Sequence, residues 1–354
     1  MNLDEKRLQQ VMDEATESGE ECGCQLAIFQ DGKPVLSLVS GYTSPARTEK
    51  VTERTMFPIF SCGKNVMATM VHRLVEQGVM DYDARIADYW PEFGCNGKED
   101  IRLWMVLSHR TGLYQMPELD NLDRRADWDD MCRKMAEAVP AVKPGTKSNY
   151  QAVTHAWLVG EPVRRAAGKS MQELIREQIF QPLGIDDSFA FGTSAVQDSL
   201  CARVDDTPKP DSWCRQVFDS LPVRHAFIPS MNGCASAFAL AKYCSAVVRP
   251  TDGVRLLKQS TLEKATKLCR HPDDPFPPQG TWAKFGLGYA LLPGDGGTLG
   301  VRFGHGGALG SEGFADQAEG FSLAFTKNMD LPTHPVHPIR NRISAVLGIP
   351  ERIW

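Results

Sequence analysis

The placement of strand-like segments restricts the fold of this 354-residue chain more than any other feature. Two apolar runs, residues 25–30 and 35–39, flank Asp31-Gly32 near the start, a strong signal for a tight hairpin. Short strand candidates then return only past residue 283, at 285–292, 301–303, 313–315 and 321–325. Between them, from about 65 to 223, the apolar spacing is helical: Val66, Met70, Leu74 and Val75 form one stripe, and Met171, Leu174, Ile175 and Ile179 another. Leu3, Leu8, Val11, Met12 and Ala15 predict an opening helix stopped by Gly19, and 339–347 predicts a closing one. The first strands are therefore expected to pair with the last. The fold class is α+β, an α/β sandwich with an antiparallel sheet built from 1–62 and 224–354. A mainly helical domain, 63–223, is inserted, and the active site is expected in the cleft between the two.

Composition narrows the function classes. Lys and Arg number 39 against 44 Asp and Glu, a formal charge of −5, with 42% hydrophobic and 23% charged residues. That balance is globular and excludes a disordered chain or a strongly basic nucleic-acid binder. The longest apolar runs fall well short of the ~18 residues needed to span a bilayer, so no membrane partner is expected. The ten cysteines are scattered from Cys22 to Cys269, and the polar first residues lack the pattern of a signal peptide. A reduced, cytoplasmic protein is expected. Cys22-Gly-Cys24 and His334-Pro-Val-His337 are too poor in ligands, or too rich in proline, to predict a metal site. Phosphate-cradling glycine loops and the G-x-S-x-G elbow are missing, and no cofactor is expected.

One motif stands out. Phe60-Ser61-Cys62-Gly63-Lys64 precedes the Val66 stripe, which sets Ser61 and Lys64 one helical turn apart on the same face. A neutral amine beside a hydroxyl can take its proton, provided burial or nearby positive charge lowers the lysine from about 10.4. Backbone N–H groups at a helix start also suit an oxyanion. S-x-x-K alone is common by chance, and its bland reading is a helix cap followed by a surface lysine.

Further segments follow in order: Leu107-Ser-His-Arg-Thr-Gly-Leu113, Tyr150-Gln-Ala-Val-Thr-His, Pro182-Leu-Gly-Ile185 and Phe303-Gly-His-Gly-Gly307. From about residue 25 to 328 the chain resembles the serine β-lactamase superfamily, in its class C-like esterase, D-peptidase and transacylase branch. The resemblance implies a β-lactamase/transpeptidase-like fold. It implies Ser61 as the acylated nucleophile, Lys64 as its proton partner, and Tyr150 as the tyrosine that shuttles protons. It places His305, Gly306 and Gly307 in the third motif, on an edge strand lining the cleft, and the N–H groups of Ser61 and Ala308 in the oxyanion hole. Lys64 and Tyr150 are expected to lower each other's pKa. Arg110-Thr111-Gly112 imitates the Lys-Thr-Gly motif but sits in the wrong element.

Two departures narrow the substrate. Ala152 stands where β-lactamases carry the asparagine of Tyr-x-Asn, and its methyl group cannot hydrogen-bond a substrate amide or hold Lys64. His305 stands in place of the lysine of Lys-Thr-Gly, a weaker anchor for a carboxylate when neutral. The expected activity is hydrolysis of a small-molecule ester or activated amide through an acyl-enzyme. The alternatives are a transacylase using an amine or alcohol acceptor, a D-amino-acid peptidase, and a non-catalytic scaffold. His109 is expected to buttress a loop, Cys62 to pack its helix, and Trp157 to lie in the core on the helix of Tyr150. Trp213, Trp282 and Phe276 are candidates for the rim of the pocket.

Overall fold

The computed structural model describes residues 3–269, 284–293, 297–332 and 338–349. The Asp4 side chain accepts from the Arg7 N–H at 3.0 Å and caps helix α1 (Glu5–Ser18), which Gly19 ends in the left-handed region. Strands β1 (Gly23–Gln30) and β2 (Lys33–Gly41) form the expected hairpin. Asp31 and Gly32 take φ of 49° and 84° at its turn. Strands β3 (Phe57–Pro58), β4 (Phe189–Ala190) and β5 (Cys234–Ala235) make a small sheet in the order β3-β5-β4. The last strands are β6 (Ala290–Pro293), β7 (Leu299–Gly306), β8 (Glu312–Asp316) and β9 (Phe321–Lys327). With the hairpin they form one antiparallel sheet, ordered β2-β1-β9-β8-β7-β6. Its central seam sets Cys24 opposite Lys327 and Gln30 opposite Phe321, so residues some 300 apart in sequence are hydrogen-bonded neighbours.

The sheet is covered on both faces, and its strands alternate accordingly. Leu26 and Ile28 of β1 and Leu323 and Phe325 of β9 face α1 and the closing helix (Pro338–Leu347), packing against Leu8, Val11, Met12, Ile339 and Ile343. Ala27, Phe29 and Ala324 point the other way, beneath the helix Ala237–Val248. From there the apolar core continues without a break into the helical stretch, through helix α2 (Gly63–Glu76) to Trp157 and Val163 on the helix His155–Ala167. Trp157 is in the core, as expected.

Three local expectations are corrected. The strand at 285–292 shrinks to β6, because the Gly286 N–H bonds the Tyr289 carbonyl and closes a turn just ahead of it. The strand at 301–303 lengthens in both directions, and β7 is not the edge: β6 pairs with it as far as Gly304. His305 and Gly306 run on past the end of β6, which leaves that side of β7 open to the cleft. Tyr150 is not helical, since its helix begins only at His155 and the turn 150–154 precedes it.

The Cys22 and Cys24 thiols are buried and free, and burial, with Asp205 and Glu21 nearby, pushes Cys22 up to about 12, which disfavours a metal-binding thiolate. His334 and His337 lie outside the described residues. Among the described residues no helix is long and apolar enough to cross a membrane.

The hairpin turn gives a direct test. A Cβ on Gly32 would lie 2.0 Å from the Pro250 carbonyl oxygen, on a residue at φ 84°. Gly168 has a similar φ of 66° but open space around it. In urea denaturation Gly168→Ala is expected to cost about 1 kcal/mol, the left-handed penalty alone. Gly32→Ala is expected to cost at least about 2 kcal/mol, since backbone displacement is added to it. Equal losses would show that Pro250 does not constrain the turn.

Candidate active site

The chain leaves β3, bonds back to β5 through Ile59 N–H to Gly233 O at 2.9 Å, and turns sharply into α2. Phe60 makes that turn at φ 43°, a left-handed conformation that is strained for a bulky residue. Its buried ring is wedged edge-on against Phe218 at 5.0 Å and beside Trp213 at 5.8 Å, contacts that hold the conformation in place. The turn leaves Ser61 partly exposed at the head of the helix. Lys64 follows one turn later with 1% of its surface exposed.

The Lys64 amine is enclosed by oxygen atoms. Its Nζ lies 2.8 Å from Ser61 Oγ, 2.7 Å from Ala152 O and 3.2 Å from Ser230 O. Burial drives its pKa well below the ordinary lysine value, and no carboxylate is among the groups that oppose the shift. A neutral amine has two N–H donors and one lone pair. The two carbonyls can only accept, so they take the two N–H bonds and leave the lone pair for the Ser61 hydroxyl. The methyl of Ala152 is inert, as its sequence indicated, but its backbone carbonyl holds the lysine. Neither carbonyl has a signature in the sequence, and Ser230 was not among the expected site residues. Its side chain is tied to Val153 O at 2.8 Å, which fixes the Pro229–Met231 bend against the Tyr150 turn.

Tyr150 reaches the same oxygen from the other side, its hydroxyl donating to Ser61 Oγ at 2.8 Å. Its ring stacks on Phe285 with 5.9 Å between centroids and lies 4.9 Å from the Lys64 Nζ. Here a sequence expectation is corrected. Burial pushes the Tyr150 phenol up, and the bond to Ser61 only partly offsets this. The two groups do not lower each other: Lys64 is lowered by its own burial and Tyr150 is raised by its own. His305 lies beyond Tyr150, with Nε2 3.4 Å from the phenol oxygen and Nδ1 2.7 Å from Gly306 O. Because Gly306 O can only accept, the Nδ1 carries the proton and Nε2 presents a lone pair. Burial lowers His305 to about 3, so the ring is neutral.

The segment 107–113 supports this arrangement from behind. His109 accepts the Gln151 N–H at Nδ1 at 3.3 Å, and its carbonyl takes the Asn149 N–H at 2.8 Å. Thr111 donates to the Gln151 side chain at 2.9 Å, and Arg110 donates to Thr146 O and Cys269 O. These residues brace the Tyr150 turn. Cys62 is buried, with Sγ 3.1 Å from His305 O, and burial raises its thiol far above a reactive range. Gly306 ends β7, and Gly307 opens a tight turn closed by Gly310 N–H to Gly307 O at 2.9 Å. A Cβ on Gly307 would lie 2.4 Å from Ile59 O, so this turn packs directly on the chain entering Ser61. Ala308, next in the turn, is exposed. Trp213, 38% exposed, lies beside Phe60, whereas Trp282 and Phe276 lie outside the described residues.

The chain spans 77% of a curated relative from Mycobacterium tuberculosis, the esterase/beta-lactamase LipL, with 30% identity and 86% of this chain covered. It is 25% identical to the esterase EstB of Burkholderia gladioli, over 91% of this chain and 90% of that protein. A solved family VIII carboxylesterase superposes with a TM-score of 0.86 at 26% identity, covering 96% of each chain. The family model described as Beta-lactamase matches residues 8–346. This chain belongs to the beta-lactamase family, and it is an enzyme of the serine hydrolase type.

Proposed function

We propose that this protein is a serine esterase that forms an acyl-enzyme on Ser61 from a small-molecule ester or activated amide. The observation that carries the reading is the double approach to Ser61 Oγ, by the Lys64 amine and the Tyr150 hydroxyl, each at 2.8 Å. The esterase names of the relatives support the choice of substrate class.

In the proposed reaction the lone pair of Lys64 takes the Ser61 proton as Oγ bonds the ester carbonyl carbon. The carbonyl π pair moves to oxygen, and the N–H groups of Ser61 and Ala308 receive the oxyanion. On collapse the bond to the leaving oxygen breaks and Tyr150 gives that oxygen its proton. The phenolate so formed is strongly basic because burial disfavours it, and it recovers a proton from the Lys64 ammonium. Water then attacks the acyl carbon, its proton passing through the Tyr150 hydroxyl to Lys64; on collapse the bond to Ser61 Oγ breaks, the Lys64 ammonium returns the proton to Oγ, and the carboxylic acid leaves. Tyr150 is thus a relay, neutral at rest, and Lys64 is the base. His305 offers a lone pair where a carboxylate-bearing substrate would need a cation, so esters without a carboxylate fit best. The cleft between the sheet and the helical stretch holds the substrate, with Gly306 and Gly307 giving it close access to the backbone.

Three outcomes follow from these assignments. Intact-mass measurement with a p-nitrophenyl ester or a fluorophosphonate is expected to show one adduct on Ser61, absent in Ser61→Ala. Labelling that survives Ser61→Ala would overturn the assignment. The base works only when neutral, so kcat/KM is expected to be lost as pH falls through the lowered pKa of Lys64. Tyr150 is raised, so no alkaline limb is expected below about pH 10, its ordinary value. A bell centred near pH 7 would contradict the relay. Finally, kcat/KM for p-nitrophenyl acetate is expected to exceed that for nitrocefin by roughly 100-fold, the size of one lost charge-assisted contact. Rapid nitrocefin turnover would show that His305 and Ala152 do not limit β-lactams.

A further inference from the structure

Behind the Gly307–Gly310 turn lies an ion pair that the proposed reaction does not use. Lys327, at the end of β9, and Glu21, between α1 and β1, are both fully buried, with Nζ 2.8 Å from Oε2. Glu21 is held in turn by the N–H groups of Cys22 at 3.0 Å and Met329 at 2.9 Å, both on Oε1. The Lys327 ammonium donates to Leu309 O at 3.2 Å and to Met329 O. The Lys327 main-chain N–H reaches Ser311 Oγ at 3.2 Å. That hydroxyl donates to Pro58 O at 2.8 Å, and Ser311 O accepts the Gly307 N–H at 2.7 Å. One buried cation is thereby linked to the loop that presents Ala308 and to the strand that leads into Ser61.

A buried pair of this kind contributes little to stability beyond what apolar residues of similar size would give, so stability alone does not explain it. In a β-turn the N–H of the second residue faces outward without a partner, and its direction depends on how the turn is held. Here the third residue of the turn, Leu309, is held through its carbonyl by a buried charged donor that is itself paired with Glu21. We infer that Glu21 and Lys327 are positioning residues which fix the Gly307–Gly310 turn so that the Ala308 N–H meets the oxyanion. This rests on the proposed acyl-enzyme reading. The pair touches no substrate, and it acts on the transition state rather than on binding.

The test uses the full chain with the double substitution Glu21→Leu and Lys327→Met, which removes the anchor and leaves no unpaired buried charge. Glu21→Gln is the companion variant: its amide oxygen still accepts from Cys22 and Met329, while Lys327 loses its counter-charge. For p-nitrophenyl acetate the double variant is expected to lose at least about tenfold in kcat with KM within about threefold, the pattern of a displaced transition-state donor. Affinity for an arylboronic acid, which presents a tetrahedral oxyanion, is expected to fall by a similar factor. Glu21→Gln is expected to fall between the wild type and the double variant. If the double variant does not fold, Glu21→Gln alone decides: an unchanged kcat overturns the inference, and a kcat loss at constant KM supports it. A folded double variant with wild-type kcat and boronate affinity also overturns it, leaving the pair a structural tie. Failure of the acyl-enzyme reading is separate, because the wild type itself would then give no Ser61 adduct.

Discussion

The site depends on a lysine amine with almost no access to water. Lys64 sits in the first turn of α2, against the core, where charging it would strand an ammonium without a counter-ion. Two backbone carbonyls orient the amine so that, when neutral, its lone pair faces Ser61. The elements around this amine can be understood as its enclosure. Ala152 O comes from the turn braced by His109 and Thr111, Ser230 O from the bend leading into β5, and Ser61 from the strained turn at Phe60.

Strain and burial are concentrated at this one place. A left-handed Phe60 opposes folding by an amount of order 1–3 kcal/mol, and enclosing the Lys64 amine away from water opposes it as well. The large continuous core compensates, since truncating a single buried leucine or isoleucine typically costs 2–5 kcal/mol. The seam between β1 and β9 ties the termini of that core together. The same seam ends at Lys327, whose amine bonds Leu309 O in the turn that carries Ala308.

Much of this was legible in the residues. Asp31-Gly32 between apolar runs specified the hairpin, since few other pairs accept two positive φ values in succession. The spacing of Ser61 and Lys64 placed them on one helical face. Tyr150 and His305 became visible only through resemblance, because they reach Ser61 from distant parts of the chain and no local periodicity relates them. The Ala152 and Ser230 carbonyls were invisible, as every residue carries one and only the fold selects which points inward. The true end of β7, the turn ahead of β6 and the non-helical Tyr150 were decided by tertiary contacts that override local pattern. The ionisation of Tyr150 ran opposite to expectation for the same reason: burial acts on both partners of the pair, but in opposite directions on an acid and a base.

The charge of Lys64 in the resting protein tests this account most directly. NMR of protein carrying 13C- and 15N-labelled lysine, assigned with Lys64→Arg, reports whether that amine is protonated. A neutral Lys64 at pH 7.5, taking up a proton only well below the pH at which the surface lysines titrate, is the predicted result. A Lys64 that is charged at pH 7.5 and titrates with them near 10.4 would contradict it.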